Sequence, residues 1–558
     1  MSVRSAGHLV VAQLEELGVP RVYCVPGESY LEVLDGLYDS PVDTIVCRQE
    51  GGAGFMAVAQ GRLGPLPGVA MVTRGPGAAN AAIAVHTAWQ DATAMVLFVG
   101  LIPLADRGRE SFQEFDLSAW FGSTSKKVLS LDTPDRAAEV VREAFHIAAS
   151  GRPGPVVVGL PEDVLVAPTE AGVGPARDIS TGAVSPAQAD RLATLLRDAE
   201  RPLVVVGGDR WSAPVAERFT AWCEAWRLPV AADFRAHDVV AHSSASYVGW
   251  LGYGQNPALA DLLDEADLLL FVGDGAGDVL TGGYRLGRDA DRVVVVDPDP
   301  QLRAHQLRLD LHLTAAPAGF VESFTETAVG APPGSVPRWV GWAEKAREEQ
   351  VRFSTPHPDR AAVEQAGEPG SDLDARLGVD LGVALAELRD RLPGDALCAY
   401  GAGNYARWVQ RYLTHETYPA VLAPRNGAMG FGVPACVAAA LSHPDRQVVA
   451  FAGDGCFLMN GQELATAAAY GLTPLVVVVD NGGYGTIRSH QQAAHPDRPS
   501  GTALTNPDFA AYGAAFGAHA ETVARTEDVG PALDRALASG RMALVHLVVD
   551  PETMSPRP

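Results

Sequence analysis

The chain has 558 residues, and a length of that order accommodates about three or four domains with complete cores. Its formal net charge of −24 argues against a nucleic-acid partner, because phosphate binding needs clustered cations. Hydrophobic residues make up 47% of the chain and charged residues 20%, a balance that is typical of a soluble globular protein rather than a disordered or membrane-spanning one.

The sequence carries no signal for export or membrane insertion. Its first twenty residues include Glu15 and Glu16 in an amphipathic helical pattern, which differs from a signal peptide. The longest apolar run, residues 94–105, contains glycine and proline and is too short to cross a bilayer. The six cysteines show neither disulfide nor metal-ligand spacing, which suits a reducing compartment. These features predict a cytoplasmic protein with no membrane partner.

Strand and helix signals alternate through the first 165 residues, which predicts a doubly wound parallel sheet. Glycine-rich turns follow three of the predicted strands, at Pro26-Gly27-Glu28, Arg48-Gln49-Glu50-Gly51-Gly52 and Arg74-Gly75-Pro76-Gly77. Glu50 precedes two glycines that open a helix. The helix dipole favours a carboxylate at that position, so a purely structural role is one interpretation of Glu50.

The stretch from residue 448 to residue 484 contains the strongest chemical signal. An apolar run predicts a buried strand that ends in a tight turn at Gly453-Asp454-Gly455, and a helical pattern follows over residues 461–470. A second apolar strand ends at Asp480-Asn481-Gly482-Gly483. Because the strands of a βαβ unit end at the same edge of the sheet, we expect Asp454 and Asn481 to converge on one cation. Oxygen ligands suit a hard divalent ion, and glycines let backbone amides approach a diphosphate.

These residues resemble the signature of thiamine-diphosphate enzymes, which is Gly-Asp-Gly, a spacer and then Asn-Asn; here Asp480 replaces the first Asn. The resemblance assigns Asp454, Asn481 and the backbone carbonyl of Gly483 to Mg²⁺. The resemblance extends over essentially the whole chain. In the N-terminal part, three segments resemble landmarks of the pyrimidine-binding domain in acetolactate-synthase-like enzymes, namely Val25-Pro26-Gly27, residues 48–52 and residues 75–80.

The resemblance implies further contacts with thiamine diphosphate. Glu50 would bind N1′ of the aminopyrimidine and stabilise the tautomer whose 4′-nitrogen takes the proton from thiazolium C2. Gly427 would offer its carbonyl to the 4′-amino group, and Met429 would hold the cofactor bent, with core filling as the alternative for Met429. Asn404 and Tyr405 fall in a segment, Gly401 to Tyr405, that resembles one touching the diphosphate. The other expected cofactor contacts are Gly27, Asn80, Gly453, Gly455, Cys456, Tyr484, Gly485 and Thr486.

Five residues are candidates for contact with the substrate, and those in the N-terminal domain have a surface or core role as the alternative. Glu28 lies where decarboxylating relatives place an acidic residue, and it could instead cap the following helix. Phe112 and Gln113 resemble a Phe-Gln pair that lines the active site of acetolactate synthases. His490 lies near the position of an acceptor-contacting tryptophan and could be a proton donor or a lid contact. Arg74 replaces the usual Ser and could add a cation near a substrate carboxylate.

The predicted fold is α/β with three doubly wound parallel sheets. A pyrimidine-binding domain at 1–165 and a linker at 166–190 precede a middle domain at 191–330, a second linker at 331–375 and a diphosphate-binding domain at 376–550. Acetolactate synthases bind FAD in the middle domain through arginines before a Thr-Gly. Residues 275–282 contain neither arginine, so we expect a structural middle domain and not a flavin site. Its glycine-rich turns also fail to match the nicotinamide fingerprint.

The resemblance implies a lyase or synthase that decarboxylates a pyruvate-like 2-oxo acid and transfers the acyl anion to a carbonyl acceptor. One alternative is a simple decarboxylase, with Glu28 and His490 as proton donors. Another is a 2-hydroxyacyl-CoA lyase, which would need a nucleotide pocket that the sequence does not reveal. A nicotinamide dehydrogenase lacks its fingerprint, and an idle binding protein fits poorly with an intact set of Glu50, Asp454 and Asn481. The family also implies a homodimer or homotetramer in which pyrimidine- and diphosphate-binding domains meet across a subunit boundary.

Overall fold

The N-terminal sheet is built from short apolar strands that alternate with helices. A computed structural model describes residues 3–208, 210–302, 305–332, 334–356 and 378–556. The strands of this part are β1 (Arg4–Ser5), β2 (Arg21–Cys24), β3 (Asp43–Val46), β4 (Gly68–Val72), β5 (Met95–Leu101), β6 (Lys127–Ser130), β7 (Pro155–Pro161) and β8 (Pro168–Thr169). The sheet order is β3-β2-β4-β5-β7-β6, and every pairing is parallel. β1 and β8 form a separate antiparallel pair.

Helices cover this sheet, so its central strands are buried along their whole length. The helices are α1 (Ala6–Glu16), α2 (Leu31–Tyr38), α3 (Glu50–Leu63), α4 (Pro76–Asp91), α5 (Leu117–Phe121), α6 (Ala137–Ala149) and α7 (Glu162–Leu165), with 3₁₀ turns at Glu28–Tyr30, Leu104–Asp106 and Pro134–Arg136. The predicted apolar strands are confirmed as β2, β3, β4, β5 and β7. The edge strand β6 escaped prediction because its exposed Lys127 and half-buried Ser130 interrupt any apolar run.

The middle sheet repeats the same architecture. Its strands are β9 (Pro202–Val206), β10 (Val230–Asp233), β11 (Tyr247–Leu251), β12 (Leu268–Val272), β13 (Arg292–Val296) and β14 (Leu311–Leu313), in the parallel order β11-β10-β9-β12-β13-β14. Its helices are α8 (Pro186–Asp198), α9 (Ala213–Trp226), α10 (Pro257–Glu265) and α11 (Pro317–Phe320), followed by a π turn at Val321–Thr325. α8 begins inside the stretch that the sequence predicts as a linker, because Ser185 and Gln188 form a capping box there.

The C-terminal sheet carries the strands with the strongest sequence signal. Its strands are β15 (Leu397–Tyr400), β16 (Val421–Leu422), β17 (Val448–Gly453), β18 (Leu475–Asp480), β19 (His519–Val523) and β20 (Ala543–Val548), in the parallel order β16-β15-β17-β18-β20-β19. From residue 340 onward, the described residues form helices α12 (Val340–Ser354), α13 (Leu381–Arg389), α14 (Tyr405–Tyr412), α15 (Gly432–Ser442), α16 (Asp454–Asn460), α17 (Leu464–Ala469), α18 (Gly485–Ala494), α19 (Phe509–Ala515) and α20 (Val529–Ala538), with 3₁₀ turns at Gly461–Glu463 and Thr526–Asp528.

One helix begins earlier than the sequence pattern predicts. The expected helix over 461–470 starts instead at Asp454, is interrupted by the 3₁₀ turn and resumes as α17. The side chain of Asp454 accepts a hydrogen bond from the backbone N–H of Gly455 at 2.8 Å, and a carboxylate at a helix N-terminus is favoured by the dipole. The candidate metal ligand therefore also starts the helix.

Within the described ranges, three six-stranded parallel sheets confirm the predicted α/β fold class. The described residues form two units. The first comprises Met1–Ser180, Pro424–Pro444 and Asn460–Leu472, and the second comprises Thr181–Ala423, Asp445–Met459 and Thr473–Pro558. Residues 357–377, which include the end of the second predicted linker and the first two residues of the predicted diphosphate-binding domain, lie outside the described residues. No helix in the described part of the chain combines the length and apolar character that crossing a bilayer requires.

Two segments from the C-terminal half of the chain pack within the first unit. α15 lies against α3, where the rings of Phe55 and Phe431 meet edge to face with centroids 5.3 Å apart. Arg425 donates its backbone N–H to Asp91 at 2.7 Å. The turn before α15, which contains Gly427 and Met429, is thus fixed on the N-terminal sheet domain.

In the second unit, a buried arginine connects the middle domain with the C-terminal sheet. Arg235 follows β10, and its guanidinium carbon lies 4.8 Å from the ring centroid of Phe234 and 5.0 Å from that of Tyr400. One of its N–H groups donates to the Gly401 carbonyl at 3.4 Å. Asp238 accepts from the backbone N–H groups of Ala420 and Val421 at 2.8 and 2.9 Å. The middle domain therefore fixes the strand end at which the Gly401 segment begins.

Candidate active site

One group of candidate site residues lies in the second unit, where β17 and β18 end side by side. These strands are parallel, and their register pairs Gly453 with Val479, so Asp454 and Asn481 leave the same edge of the sheet. The backbone N–H of Gly483 donates to Oδ2 of Asp454 at 3.0 Å and to Oδ1 of Asn481 at 3.3 Å. The predicted metal-ligating side chains therefore come together at a single backbone group.

Asn506 joins this cluster without any signal from a sequence motif. Its Nδ2 donates to Oδ2 of Asp454 at 2.8 Å and to Oδ1 of Asp480 at 2.7 Å. Both partners are acceptors, which sets the orientation of the amide. Its Oδ1 is buried and has no hydrogen-bond partner among the described residues. Asn506 reaches the site because residues 502–504 pair with residues 482–484.

The two carboxylates that share Asn506 have opposite electrostatic environments. Burial raises the pKa of Asp454, and hydrogen bonds from Asn506 and Gly455 offset only part of that effect. Burial also acts to raise the pKa of Asp480, but hydrogen bonds from His546, at 3.1 Å, and from the Gly482 amide outweigh it, so this pKa stays below its ordinary value. Asp480, which replaces the usual Asn, is thus held as a carboxylate by a histidine.

The donor set fits a hard divalent cation. Asp454 supplies a buried carboxylate, Asn481 an amide oxygen and Gly483 a backbone carbonyl, and oxygen ligands of this kind suit Mg²⁺. In the described ranges, no group of three or more His, Cys, Asp or Glu side chains has metal-binding geometry. A cation at this edge would therefore be held by one protein carboxylate with neutral oxygens, and a diphosphate could supply the remaining negative charge.

Glycines leave room for close approach around the predicted diphosphate contacts. A Cβ on Gly403 or on Gly453 would lie 2.9 or 3.1 Å from the ring of Tyr405, and a Cβ on Gly455 would lie 2.6 Å from the ring of Tyr484. A Cβ on Gly485 would meet Nδ2 of Asn481 at 2.8 Å. The contacts at Gly403, Gly455 and Gly485 are shorter than real Cβ contacts, and the one at Gly453 is tighter than most of them, so the close packing favours glycine.

Side-chain hydrogen bonds hold the same segment together. Asn404 accepts from the hydroxyl of Thr486 at 2.9 Å and donates to Ser489 at 3.2 Å. The hydroxyl of Tyr405 accepts from the Gly401 amide at 3.0 Å and lies 3.5 Å from Sγ of Cys456. The predicted contacts Asn404, Tyr405, Cys456, Tyr484, Gly485 and Thr486 thus lie in one connected group with the predicted metal ligands.

A separate group of candidate site residues lies in the first unit, around Glu50. Glu50 is the first residue of α3, and its Oε2 accepts a hydrogen bond from Nδ2 of Asn80 at 2.9 Å. A Cβ on Gly77 would lie 3.3 Å from Oε1 of Glu50, so the glycine lets α4 approach this carboxylate. The predicted cofactor contacts Glu50 and Asn80 are therefore hydrogen-bonded to each other, and Oε1 of Glu50 can still accept a hydrogen bond.

Arg74 has a different environment from the one its sequence context suggests. Its guanidinium donates to Glu28 at 2.6 Å and to Glu162 at 2.7 Å, and the residue is only 7% exposed. Glu28 is therefore paired rather than free at the turn after β2, where a Cβ on Gly27 would lie 2.4 Å from Thr73. An arginine that already binds two carboxylates offers little positive charge to a substrate.

Gln113 sits against the glycine turn that leads to α4. Its φ of 63° lies in the left-handed region, which costs a non-glycine residue of order 1–3 kcal/mol. A Cβ on Gly75 would lie 3.0 Å from the Gln113 carbonyl oxygen. Gln113, Arg74 and Arg107 line a cavity of about 290 Å³, while the neighbouring Phe112 is 75% exposed. The structure thus presents Gln113 towards a cavity and Phe112 towards solvent.

For three of the predicted contacts, Gly427, Met429 and His490, the surrounding residues do not indicate a role. Gly427 has a φ of 69°, and Met429 is half-buried. Their turn is anchored by Asn426, whose Nδ2 contacts Nδ1 of His86 at 3.0 Å and Oγ1 of Thr87 at 2.9 Å. His86, predicted to be structural, therefore supports this turn. His490 is exposed on α18.

Comparisons with known proteins cover all three sheets. Residues 4–120 match the N-terminal TPP binding domain of the thiamine pyrophosphate enzymes, residues 189–324 match their central domain, and residues 401–547 match their C-terminal TPP binding domain. The chain is also 31% identical over 556 residues to the acetolactate synthase large subunit of Parasynechococcus marenigrum, a match that covers 96% of this chain and 86% of that protein. The chain belongs to the thiamine pyrophosphate enzymes.

Other relatives of this thiamine pyrophosphate enzyme carry the same name. The large subunit of acetolactate synthase isozyme 2 from Escherichia coli is 29% identical over 549 residues, which cover 97% of this chain and 95% of that protein. The acetolactate synthase large subunit of Corynebacterium glutamicum is 28% identical over 542 residues, which cover 94% of this chain and 84% of that protein. The predicted acetolactate-synthase-like character and the thiamine diphosphate cofactor are therefore confirmed.

Proposed function

We propose that this thiamine pyrophosphate enzyme decarboxylates a pyruvate-like 2-oxo acid and transfers the acyl group to a carbonyl acceptor. One observation carries the proposal. The Glu50–Asn80 pair and the cluster of Asp454, Asn481 and Gly483 are both intact, in a chain whose relatives are acetolactate synthases. The first provides a carboxylate for an aminopyrimidine, and the second provides oxygens for the cation of a diphosphate.

Thiamine diphosphate, when bound, supplies a carbon acid that adds to the 2-oxo acid and stores the electron pair left behind by carbon dioxide. The protein's part in this chemistry is proton placement and orientation. Oε1 of Glu50 would hold the proton at the pyrimidine N1′, while the hydrogen bond from Asn80 to Oε2 keeps the carboxylate from rotating. Gly27, Gly427 and Met429 would complete the pyrimidine contacts.

Asp454, Asn481 and the carbonyl of Gly483 would hold Mg²⁺ against the diphosphate. Asn506 adds a second layer, because it fixes Oδ2 of Asp454 and leaves its own buried Oδ1 for a further donor such as a metal-bound water. Asn404, Tyr405, Gly453, Gly455, Cys456, Tyr484, Gly485 and Thr486 would surround the diphosphate.

The ion pair between Glu28 and Arg74 supports acyl transfer over simple aldehyde release. Aldehyde release needs an acid that gives a proton to the acyl carbon, and Glu28, one of the two predicted donors, has its Oε1 paired with the Arg74 guanidinium at 2.6 Å. The exposed His490 is the other predicted donor, and among the described residues no hydrogen bond or ion pair joins it to the cluster. Phe112 and Gln113 would instead border the acceptor.

The middle domain is proposed to be structural. At the switch point between β9 and β12, a Cβ on Gly208 would lie 1.9 Å from the Gly273 carbonyl oxygen, so backbone fills the crevice in which such sheets bind dinucleotides. The buried carboxylates of Asp233 and Asp274 flank Gly207 there. Both features are unfavourable for the diphosphate of FAD.

Assembly, domain limits and location extend the proposal beyond the chemistry. The family resemblance supports a cytoplasmic homodimer or homotetramer, with small-molecule partners and no nucleic acid or membrane. The division at 1–165, 166–190, 191–330, 331–375 and 376–550 remains a prediction. The matched segments 4–120 and 401–547 lie within its first and third domains, and the matched segment 189–324 begins two residues before its middle domain.

Product analysis tests the proposed reaction. The holoenzyme is incubated with a panel of 2-oxo acids, with and without aldehyde or 2-oxo acid acceptors, and carbon dioxide and organic products are followed by mass spectrometry. We expect a 2-hydroxy ketone or 2-hydroxy-3-oxo acid as the main product. Aldehyde alone, even with acceptor in excess, would replace the carboligase by a decarboxylase, and no carbon dioxide from any 2-oxo acid would contradict both.

A further inference from the structure

A second carboxylate, Glu463, lies in the first unit directly against the segment that precedes Glu50. Glu463 ends the 3₁₀ turn before α17 and has no exposed surface. Its Oε1 accepts from the backbone N–H of Arg48 at 3.0 Å and from that of Gln49 at 3.1 Å. Its Oε2 accepts from the hydroxyl of Thr466 at 2.6 Å. One buried side chain thus binds two consecutive amides immediately before the catalytic candidate.

The surrounding packing leaves little freedom at this corner. A Cβ on Gly52 would lie 2.6 Å from Oε1 of Glu463, so only a glycine lets α3 approach the carboxylate so closely. The side chain of Gln49 caps α3 by accepting from the Gly52 amide at 3.0 Å. Glu463 fixes the backbone on one side of Glu50, and the Gln49 cap fixes it on the other.

The buried carboxylate has an electrostatic cost that its hydrogen bonds only partly offset. Burial raises the pKa of Glu463, against the hydrogen bonds from Thr466, Arg48 and Gln49. Arg48 is the cation that acts on this carboxylate, and the buried Cys47 thiol is the other titratable group next to it. The hydrogen bonds, rather than the charge, are therefore the favourable part of the arrangement.

We propose that Glu463 is the positioning residue for Glu50. By holding the Arg48 and Gln49 amides, it sets the backbone from which the Glu50 carboxylate projects, so that Asn80 occupies Oε2 and Oε1 faces the aminopyrimidine. This inference rests on the proposed role of Glu50, but the contacts of Glu463 can be tested without any cofactor.

Hydrogen–deuterium exchange on the cofactor-free protein tests the contacts alone. Glu463→Ala should speed exchange of the Arg48 and Gln49 amides about tenfold or more, since each loses a hydrogen bond. Glu463→Gln should preserve their protection, because its amide oxygen can accept both N–H groups. Unchanged protection in Glu463→Ala would overturn the proposal whether or not Glu50 is catalytic.

Tyr470→Phe is the matched control. Tyr470 lies in the same chain segment as Glu463. Its hydroxyl accepts from the Val46 amide at 2.8 Å and donates to the Thr44 carbonyl at 2.9 Å, and Val46 is two residues before Arg48. We expect this variant to speed amide exchange at Val46 alone and to leave turnover within about twofold, since two exposed hydrogen bonds contribute little. If Tyr470→Phe lost as much turnover as Glu463→Ala, the effect of Glu463 would be general stabilisation of the fold, and the positioning role would be contradicted.

Kinetics of the holoenzyme separate positioning from mere stabilisation. Glu463→Ala should lower kcat about tenfold to a hundredfold with little change in the KM of the 2-oxo acid, because a small displacement of Glu50 affects proton transfer rather than substrate binding. Glu463→Gln should restore most of kcat. Loss of kcat in the Gln variant, with amide protection intact, would show that the charge matters and would contradict a positioning role.

The pH dependence of stability gives an independent readout. A carboxyl whose folded pKa is raised contributes stability that is complete below its unfolded pKa and is lost as pH rises through the folded pKa. The cofactor-free Glu463→Gln variant should therefore unfold at a higher temperature than the native chain at neutral pH, with a gap that narrows towards the ordinary carboxyl pKa of 4.5. A gap that stays constant with pH would contradict the buried, hydrogen-bonded position of Glu463.

Discussion

Glu50→Gln is expected to lower kcat by about two to four orders of magnitude while thiamine diphosphate still binds. A general acid or base in the transition state contributes a factor of this size. The amide keeps the shape of Glu50 and its contact with Asn80, through an oxygen that can still accept from Nδ2. It cannot hold a transferable proton at the pyrimidine N1′, so binding and proton transfer should separate in this variant.

The measurement is kcat with a decarboxylated 2-oxo acid, beside calorimetric binding of the cofactor. Glu143→Gln is the control, because Glu143 is a carboxylate of the same unit that pairs with Lys127 at 3.0 Å on the surface. It should keep both activity and binding. A Glu50→Gln enzyme that turns over at a rate near that of the native chain would refute the role assigned to Glu50.

The second large effect is expected from Asp454→Ala, which should lower kcat/KM about a hundredfold or more at ordinary cofactor and Mg²⁺ concentrations. Asp454 supplies the one carboxylate among the three proposed metal ligands, and it receives hydrogen bonds from Gly455, Gly483 and Asn506. Its removal takes away the negative charge at the cation and leaves those donors without an acceptor.

Asp480→Asn is the matched control for this prediction. Asp480 shares Asn506 with Asp454 but is not a proposed ligand, and its replacement recreates the Asn-Asn pair typical of the family. An asparagine oxygen can still accept from Nδ2 of Asn506, so we expect activity within about threefold of the native chain. Equal losses in the two variants would mean that the charge of the whole cluster, rather than metal ligation by Asp454, is what matters.

The fold followed from the sequence wherever a strand was a continuous apolar run. β17 and β18, for example, are buried up to their last residue, as expected for parallel strands with helices on both faces. Strands outside that pattern escaped prediction. β14 has three residues, and the half-buried His312 interrupts its apolar pattern. β11 is fully buried, but it follows β10 without an intervening helix, so the alternation of strand and helix did not indicate it.

The candidate site was predictable to the extent that it lies at strand ends. Asp454 and Asn481 leave adjacent parallel strands, and topology alone brings such residues together. Asn506 and Glu463 follow no motif, because each reaches its partner through packing between segments distant in the chain. A buried carboxylate such as Glu463 has no local sequence signature, because its oxygen accepts from backbone amides more than 400 residues away in the chain.

Arg74 shows where reasoning from residue type alone falls short. An arginine beside a glycine-rich turn suggested a cation for a substrate carboxylate, yet Glu28 and Glu162 both bind its guanidinium. Arg74 follows β4, Glu28 lies at the turn after β2, and Glu162 follows β7. The strand order places β4 and β7 on either side of β5, and this arrangement brings the Glu162 carboxylate within reach of Arg74. The same pairing gives Glu28, a candidate proton donor, an arginine partner at 2.6 Å.

Calorimetric titration of the stripped protein shows whether thiamine diphosphate binds and whether its binding depends on Mg²⁺. Thiamine diphosphate is added to the native chain with Mg²⁺ and, separately, with a chelator in place of the metal. We predict saturable binding with Mg²⁺ and binding at least about tenfold weaker without it, because the diphosphate needs a counter-charge in a protein with a net charge of −24. No binding under either condition, or equal binding under both, would contradict the account of the site.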